Sequence, residues 1–268
     1  MFEQAFTNTP LFTPNRFRAV AGLVAILAGS LSASNGVAAS TLDSAAPGVD
    51  LKGAAGAKRI VIIGDSTVCE YPQARPERGW GQYVEERFKD GTVKVINLAV
   101  GGRSTKTFIT EGRWKKALAE KPDYVLIQFG HNDSHDAGKP EATDAATDYR
   151  EYLRRYIDES RAIGATPVLV TPMVRRTFDA KGKLQDILQR YAEAMIAVGA
   201  EKRAPVIDLH AASTRLVERL GPAAAAGLAS KSGDVTHFNE KGARAMAGLV
   251  MDELPVAEPR LRNYLKAP

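Results

Sequence analysis

The sequence predicts an α/β fold in which helices cover both faces of a five-stranded parallel sheet. Short, almost wholly apolar segments alternate with longer segments whose apolar residues recur at helical spacing. Continuous apolar strands are typical of parallel sheets, because helices bury both faces of such a sheet. The connections are short enough for right-handed crossovers, which place the helices on the two faces.

The strands and helices begin after residue 57. Strands are expected at KRIVIIG (58–64), VKVINLAV (93–100), DYVLIQFG (123–130), TPVLVTP (166–172) and PVIDLH (205–210). Helices are expected at 79–90, 111–120, 144–164, 184–203, 211–220 and 239–253. By analogy with flavodoxin-like sheets, we expect the strand order 2-1-3-4-5. Ligands of such sheets bind at the carboxyl ends of the strands.

The composition is that of one globular domain, which we place at 58–268. The chain has 268 residues, of which 44% are hydrophobic and 25% are charged. The net charge is +5, but basic and acidic residues are interleaved and the basic runs are short, which argues against a nucleic-acid-binding module. Cys69 is the only cysteine, so no intramolecular disulfide is possible.

The first 57 residues differ in composition from the rest. Two arginines, Arg16 and Arg18, precede the apolar run AVAGLVAILAG, and small residues around Ala39 fit a cleavage site. This pattern predicts a signal peptide at 1–39 and export to the periplasm or the medium; a retained N-terminal anchor is the alternative. Residues 40–57 are small and aperiodic, and they predict a flexible linker.

Candidate functional residues follow the first three strands. Ser66 follows the first strand, Gly102 the second and Asn132 the third, so the sheet brings them to one rim. Taken alone, Ser66 equally fits a helix cap or a turn. If it is a nucleophile, the Ser66 and Gly102 N–H groups and the Asn132 amide are the candidate donors for an oxyanion.

A serine nucleophile needs a base, and the sequence has four histidines. His237 lies three residues after Asp234, so on one tight turn the carboxylate can hold one ring nitrogen while the other faces Ser66. An Asp-x-x-His pair on its own also fits a surface turn. Of the other histidines, His135 lies in a polar loop where it can contact substrate, and His210 ends a strand.

The ordered blocks GDS, NLAVGGRSTKTF, GHND and DVTHF resemble those of the SGNH (GDSL-type) hydrolases. The four letters of that family name fall here on Ser66, Gly102, Asn132 and His237. The stretches GGRSTKTFITEGRW, VLIQFGHND, TPMVRR and THFNEKGAR resemble the rhamnogalacturonan acetylesterase branch, and the match covers about 58–253. The resemblance implies a flavodoxin-like three-layer α/β/α sandwich, a Ser66–His237–Asp234 triad and an oxyanion hole formed by Ser66, Gly102 and Asn132.

The resemblance also implies a substrate. It indicates a serine esterase that removes acetyl groups from pectic rhamnogalacturonan through an acetyl-enzyme, with no cofactor and no metal. Arg103, Arg175 and Arg176 are then candidates for contacts with galacturonate carboxylates, since the guanidinium fork suits a carboxylate. We expect acetylated carbohydrate as the binding partner, no nucleic acid, no stable membrane partner, and a monomer.

Three alternatives stay open at this point. A related esterase or lipase would act on other small or lipid esters, although no long apolar loop is conspicuous. A polysaccharide-binding protein would lack turnover, although the full set of catalytic residue types argues against it. A metallophosphoesterase needs clustered His and Asp ligands, and the sequence has no Asp-x-His near the first strand and no Gly-His-x-His block.

Overall fold

The computed structural model describes residues 56–267. The expected signal peptide at 1–39 and most of the expected linker at 40–57 lie outside the described residues. Five parallel strands pair in the order β2-β1-β3-β4-β5, which confirms the expected order. The strands are β1 (Lys58–Gly64), β2 (Val93–Asn97), β3 (Tyr124–Gln128), β4 (Thr166–Val170) and β5 (Val206–Ile207).

Helices flank the sheet on both faces and complete a three-layer α/β/α sandwich. They are α1 (Thr105–Thr110), α2 (Arg113–Ala119), α3 (Asp148–Ala162), α4 (Gln189–Lys202), α5 (Leu209–Ala226) and α6 (Glu240–Ala257). Three 3-10 helices lie at Trp80–Tyr83, Glu85–Arg87 and Pro259–Tyr264. The predicted α/β class is therefore confirmed.

The strand β1 shows how the sheet separates two hydrophobic layers. Ile60 and Ile62 pack in the layer formed with α5, α6 and the 3-10 helices, whereas Val61 and Ile63 pack in the layer formed with α1 to α4. All four side chains are fully buried. Successive side chains of a strand point to opposite faces, so a strand that is buried on both faces is apolar throughout.

The segment 79–90 is two short 3-10 helices and not the expected α-helix. Its first backbone N–H groups bond outside the segment, since Trp80 N–H donates to Thr67 O at 3.0 Å and Gly81 N–H to Val68 O at 3.2 Å. A Cβ on Gly81 would lie 2.6 Å from Val68 O, so only glycine permits this approach. The loop after β1 is thereby packed directly on this segment.

Two further boundaries differ from the sequence prediction. The helix expected at 111–120 is α2, which begins at Arg113 because Gly112, with a φ of 72°, separates it from the preceding α1. The α1 helix was missed, although Ser104 and Thr107 bond reciprocally at its start as a capping pair. The strand β5 ends at Ile207, since Asp208 turns the chain and caps α5 by accepting from Ala211 N–H.

Candidate active site

The main chain that carries Ser66 is held from both sides at the end of β1. The buried carboxylate of Asp65 accepts from Thr67 N–H at 2.9 Å and from the Thr67 hydroxyl at 2.7 Å. The Tyr71 hydroxyl donates to Ser66 O at 2.8 Å. These bonds fix the backbone at Ser66, while its side chain opens into a cavity.

Ser66, His237 and Asp234 form a continuous chain of hydrogen bonds. His237 Nε2 lies 3.0 Å from Ser66 Oγ, and His237 Nδ1 lies 3.0 Å from Asp234 Oδ2. The other carboxylate oxygen, Asp234 Oδ1, accepts from the N–H groups of Thr236 and His237, both at 2.8 Å. The Asp234 side chain therefore shapes the turn and also holds the imidazole.

The charge state of Asp234 decides the role of each imidazole nitrogen. Burial by itself would raise the pKa of Asp234, but the bonds from the His237 and Thr236 N–H groups and from the imidazole outweigh it and lower the pKa to about 2. An ionised carboxylate only accepts, so Nδ1 of a neutral His237 must carry the proton. Nε2 is then free to accept the proton of the Ser66 hydroxyl.

Three N–H donors lie at the same cavity. Gly102 adopts a φ of 77° and has open space beside it, and Asn132 is only 8% exposed. Asn132 Nδ2 donates to Arg103 O at 3.0 Å, which orients the amide. Within residues 56–267 no protein acceptor takes the Ser66 or Gly102 N–H, so both remain available to a ligand oxygen.

The cavity at Ser66 has a volume of about 370 Å³. It is lined by Ser66, Gly101, Gly102, His131, Asn132, His135, Arg175, Thr236 and His237. None of these lining residues is acidic, and Arg175 contributes a guanidinium. The cavity therefore presents a nucleophile, a base, N–H donors and one fixed positive charge in the same space.

A second cavity, of about 430 Å³, lies beside α4 and α5; Arg215 contributes a guanidinium to it, but its lining holds no serine or cysteine and includes three acidic residues, Asp186, Glu193 and Asp208. Its histidine, His210, is bonded through Nδ1 to Pro172 O at 2.8 Å and through Nε2 to Asp186 Oδ2 at 2.7 Å. Both ring nitrogens of His210 are thus engaged with the protein. On volume alone this cavity would be chosen as the functional site. The smaller cavity is the better candidate, because it holds the serine nucleophile and the histidine base.

The three arginines expected to contact substrate have different surroundings. Arg175 lines the cavity, and its guanidinium donates to Thr236 Oγ1 and, at 3.0 Å, to His131 O. Arg103 does not line it; its guanidinium bonds Glu111 at 3.0 Å and Gly101 O at 2.9 Å. Arg176 is 5% exposed and bonds the backbone of the Asp234–His237 turn. Of the three, only Arg175 lines the cavity, whereas the guanidinium groups of Arg103 and Arg176 bind protein groups, and a substrate contact for these two stays a prediction.

Several residues around the site were not identified from the sequence. Tyr71 bonds the backbone of Ser66, and Thr236 links the turn to Arg175. His131 is 2% exposed beneath the cavity, with Nδ1 3.4 Å from Asp65 Oδ2. Burial lowers the pKa of His131, although Asp65 opposes the shift. No sequence signal marks Tyr71, whereas the GHND block contains His131 without indicating what it contacts.

Within residues 56–267 no group of three or more His, Cys, Asp or Glu side chains is placed to hold a metal ion. Over the same residues, no helix has both the length and the apolar character that a bilayer crossing requires.

Sequence comparisons identify proteins that are similar to this chain. Residues 62–245 match the GDSL-like lipase/acylhydrolase family. The rhamnogalacturonan acetylesterase RhgT of Bacillus subtilis is 38% identical over 223 residues, which cover 77% of this chain and 94% of RhgT. The probable rhamnogalacturonan acetylesterase YesY of the same organism is 38% identical over 200 residues, covering 72% of this chain and 91% of YesY.

Solved structures share the fold. The crystal structure of YxiM from Bacillus subtilis superposes with a TM-score of 0.66 at 30% identity, over 75% of this chain and 56% of the YxiM chain. The acetylxylan esterase Axe2 from Geobacillus stearothermophilus superposes with a TM-score of 0.59 at 22% identity, over 74% of this chain and 95% of Axe2. The likeness to Axe2 concerns the fold alone.

Proposed function

The chain belongs to the GDSL-like lipase/acylhydrolase family, and from this premise we propose that it is a serine esterase that removes acetyl groups from an acetylated polysaccharide. The hydrogen-bonded chain from Ser66 through His237 to Asp234 carries the proposal. The names of the relatives RhgT and YesY support acetyl as the acyl group and a carbohydrate as its carrier.

The first half of the reaction forms an acetyl-enzyme. Ser66 Oγ attacks the carbonyl carbon of the ester while its proton passes to His237 Nε2 over a distance of 3.0 Å. Asp234, whose pKa is lowered to about 2, stays ionised and stabilises the imidazolium that forms. The carbonyl oxygen becomes an oxyanion, and His237 then gives its proton to the departing sugar oxygen.

The donors proposed for the oxyanion are the Ser66 and Gly102 N–H groups and the second N–H of the Asn132 amide. All three residues line the cavity, and Asn132 Nδ2 uses one N–H on Arg103 O. Donors that are fixed before the reaction need no reorganisation as the charge appears. In the second half, His237 removes a proton from water, which attacks the acetyl-enzyme and releases acetate and Ser66.

The polysaccharide we propose is pectic rhamnogalacturonan. The cavity has one guanidinium, that of Arg175, and no acidic lining residue, which suits a polymer that carries carboxylates. Arg175 makes no ion pair with a carboxylate among residues 56–267, so its charge is available to a galacturonate near the acetylated sugar. A neutral acetylated polymer such as xylan would gain nothing from this charge.

Acetate release from a panel of esters tests the proposal. The panel contains acetylated rhamnogalacturonan, acetylated xylan, an aryl acetate and the matching aryl octanoate, with Ser66→Ala as the inactive control. We expect the highest kcat/KM on the acetylated acidic polymer and a preference for acetyl over octanoyl. A higher kcat/KM for the octanoyl ester would instead support a lipase-like function, and binding of the polymer without turnover would support a binding protein.

We further propose that the protein is exported and acts as a monomer on carbohydrate in the periplasm or the medium. The argument for export is the pattern of the first 39 residues, which lie outside the described residues. Mass measurement of the mature N-terminus tests it, and a chain that keeps residue 1 would contradict cleavage.

A further inference from the structure

Arg176 is a buried arginine without a carboxylate partner. It is 5% exposed, and among residues 56–267 the hydrogen-bond acceptors of its guanidinium are backbone carbonyls and not carboxylates. Burial lowers the pKa of Arg176 to about 10, so the group remains charged at neutral pH. A charged group in such a place needs strong hydrogen-bond partners, since burying it is otherwise costly.

Those partners belong to one short turn. Arg176 Nη2 donates to Asp234 O at 3.0 Å and to His237 O at 2.8 Å, and its backbone N–H donates to Val235 O at 2.9 Å. The guanidinium also lies over the Phe238 ring, 4.3 Å from its centroid. One side chain therefore binds the first and the last residue of the Asp-x-x-His segment.

We propose that Arg176 is a positioning residue for ester hydrolysis, which holds the Asp234–His237 turn so that the imidazole reaches Ser66 Oγ. The inference rests on the proposed esterase function. The Asp234 carboxylate shapes the turn from inside by accepting two N–H groups, and Arg176 Nη2 donates to the carbonyls of its two ends. Displacing a catalytic group by about 1 Å can cost on the order of a hundredfold in rate.

The geometry separates this role from a substrate contact. Arg175, the preceding residue, lines the cavity, whereas Arg176 is buried behind the turn. A substrate contact would raise KM when it is removed. Loss of a positioning residue lowers kcat, because the reacting groups are misplaced after the substrate has bound.

The experiment compares kcat and KM of Arg176→Lys and Arg176→Met on an aryl acetate. We expect Arg176→Met to lower kcat by about 10- to 100-fold with KM within about twofold. Arg176→Lys should keep a higher kcat than Arg176→Met but a lower one than the wild type, because the ammonium keeps the positive charge but lacks the planar guanidinium. Arg161→Met is the matched control, because Arg161 also binds two carbonyls, Lys202 O at 2.8 Å and Arg203 O at 3.0 Å, away from the site.

A double-mutant cycle distinguishes positioning from a general effect on folding. Arg176→Lys should cost much less kcat in an Asp234→Asn background, because the turn has then already lost its hold on the imidazole. The proposal would be overturned if Arg176→Lys lowered kcat by the same factor in the wild-type and Asp234→Asn backgrounds. It would also be overturned if the substitution raised KM and left kcat unchanged. If Arg176→Met does not fold, the Arg176→Lys cycle still decides. A wild-type protein without esterase activity would instead refute the proposed function itself.

Discussion

His237 Nε2 lies 3.0 Å from Ser66 Oγ, although 171 positions separate the two residues in the chain. Ser66 comes from the loop after the central strand β1, and His237 from the loop before α6. Asn239 caps α6 by accepting from Gly242 N–H at 2.9 Å, which fixes the end of the loop that carries His237.

Ser66→Ala should abolish turnover, with a fall in kcat of roughly a millionfold, because alanine has no hydroxyl to attack the ester. Acetate release from an aryl acetate measures it. The matched control is Cys69→Ala, since Cys69 is the other side chain near the loop with nucleophilic chemistry. Cys69 is buried, and burial raises the pKa of its thiol, so we expect wild-type activity from this control. A Ser66→Ala variant with wild-type rate would exclude the triad.

Asn132→Ala should lower kcat by about a hundredfold or more, because one donor to the oxyanion is lost while the nucleophile and base remain. KM should change little, since the amide acts mainly on the charge that develops in the transition state. Steady-state kinetics on the aryl acetate, beside the exposed control Asn263→Ala, provide the measurement. An unchanged kcat would remove Asn132 from the oxyanion hole.

The rate should fall on the acid side, because a protonated His237 cannot accept the proton of Ser66. Asp234 should not titrate in the working range, since its pKa is lowered to about 2. On the acid side the logarithm of kcat/KM should therefore fall with a slope of one proton. A slope of two would show that a second group must also be deprotonated.

Asp133 should make stability depend on pH. Burial, opposed by bonds from Thr105 and Thr143, raises the pKa of this fully buried carboxyl from 3.8 to about 7. The folded state then keeps a proton that the unfolded chain releases, so this contribution is complete below about pH 4 and is lost as the pH rises through 7.

The test for Asp133 is thermal unfolding of the wild type and Asp133→Asn at pH 5 and pH 8. Asparagine does not titrate, so the Tm of the wild type relative to the variant should be higher at pH 5 than at pH 8 by at least about 2 °C. The same difference in Tm at both pH values would mean that Asp133 is ionised throughout the range.

Much of the fold was accessible from the sequence, because both faces of the sheet are buried and the strands are therefore apolar throughout. Residues 60–63 are one such segment, and each of its side chains is fully buried. The 79–90 segment was predicted wrongly, since its helical composition is overridden by the bonds of Trp80 and Gly81 to the loop after β1. Contacts of this kind depend on a neighbour that local spacing does not reveal.

The sequence by itself determined the order in which strands and helices alternate along the chain. It also determined which residue types follow the first three strands, namely a serine, a glycine pair and an asparagine, and that an Asp-x-x-His pair lies late in the chain. These follow from local patterns, which depend on residues that are close together in the chain. Only the tertiary structure decided which of the adjacent arginines faces the cavity and which is buried behind the turn. Both are alike in charge and sequence context, and their different roles arise because the segment after β4 contacts His131 on one side and the Asp234–His237 turn on the other.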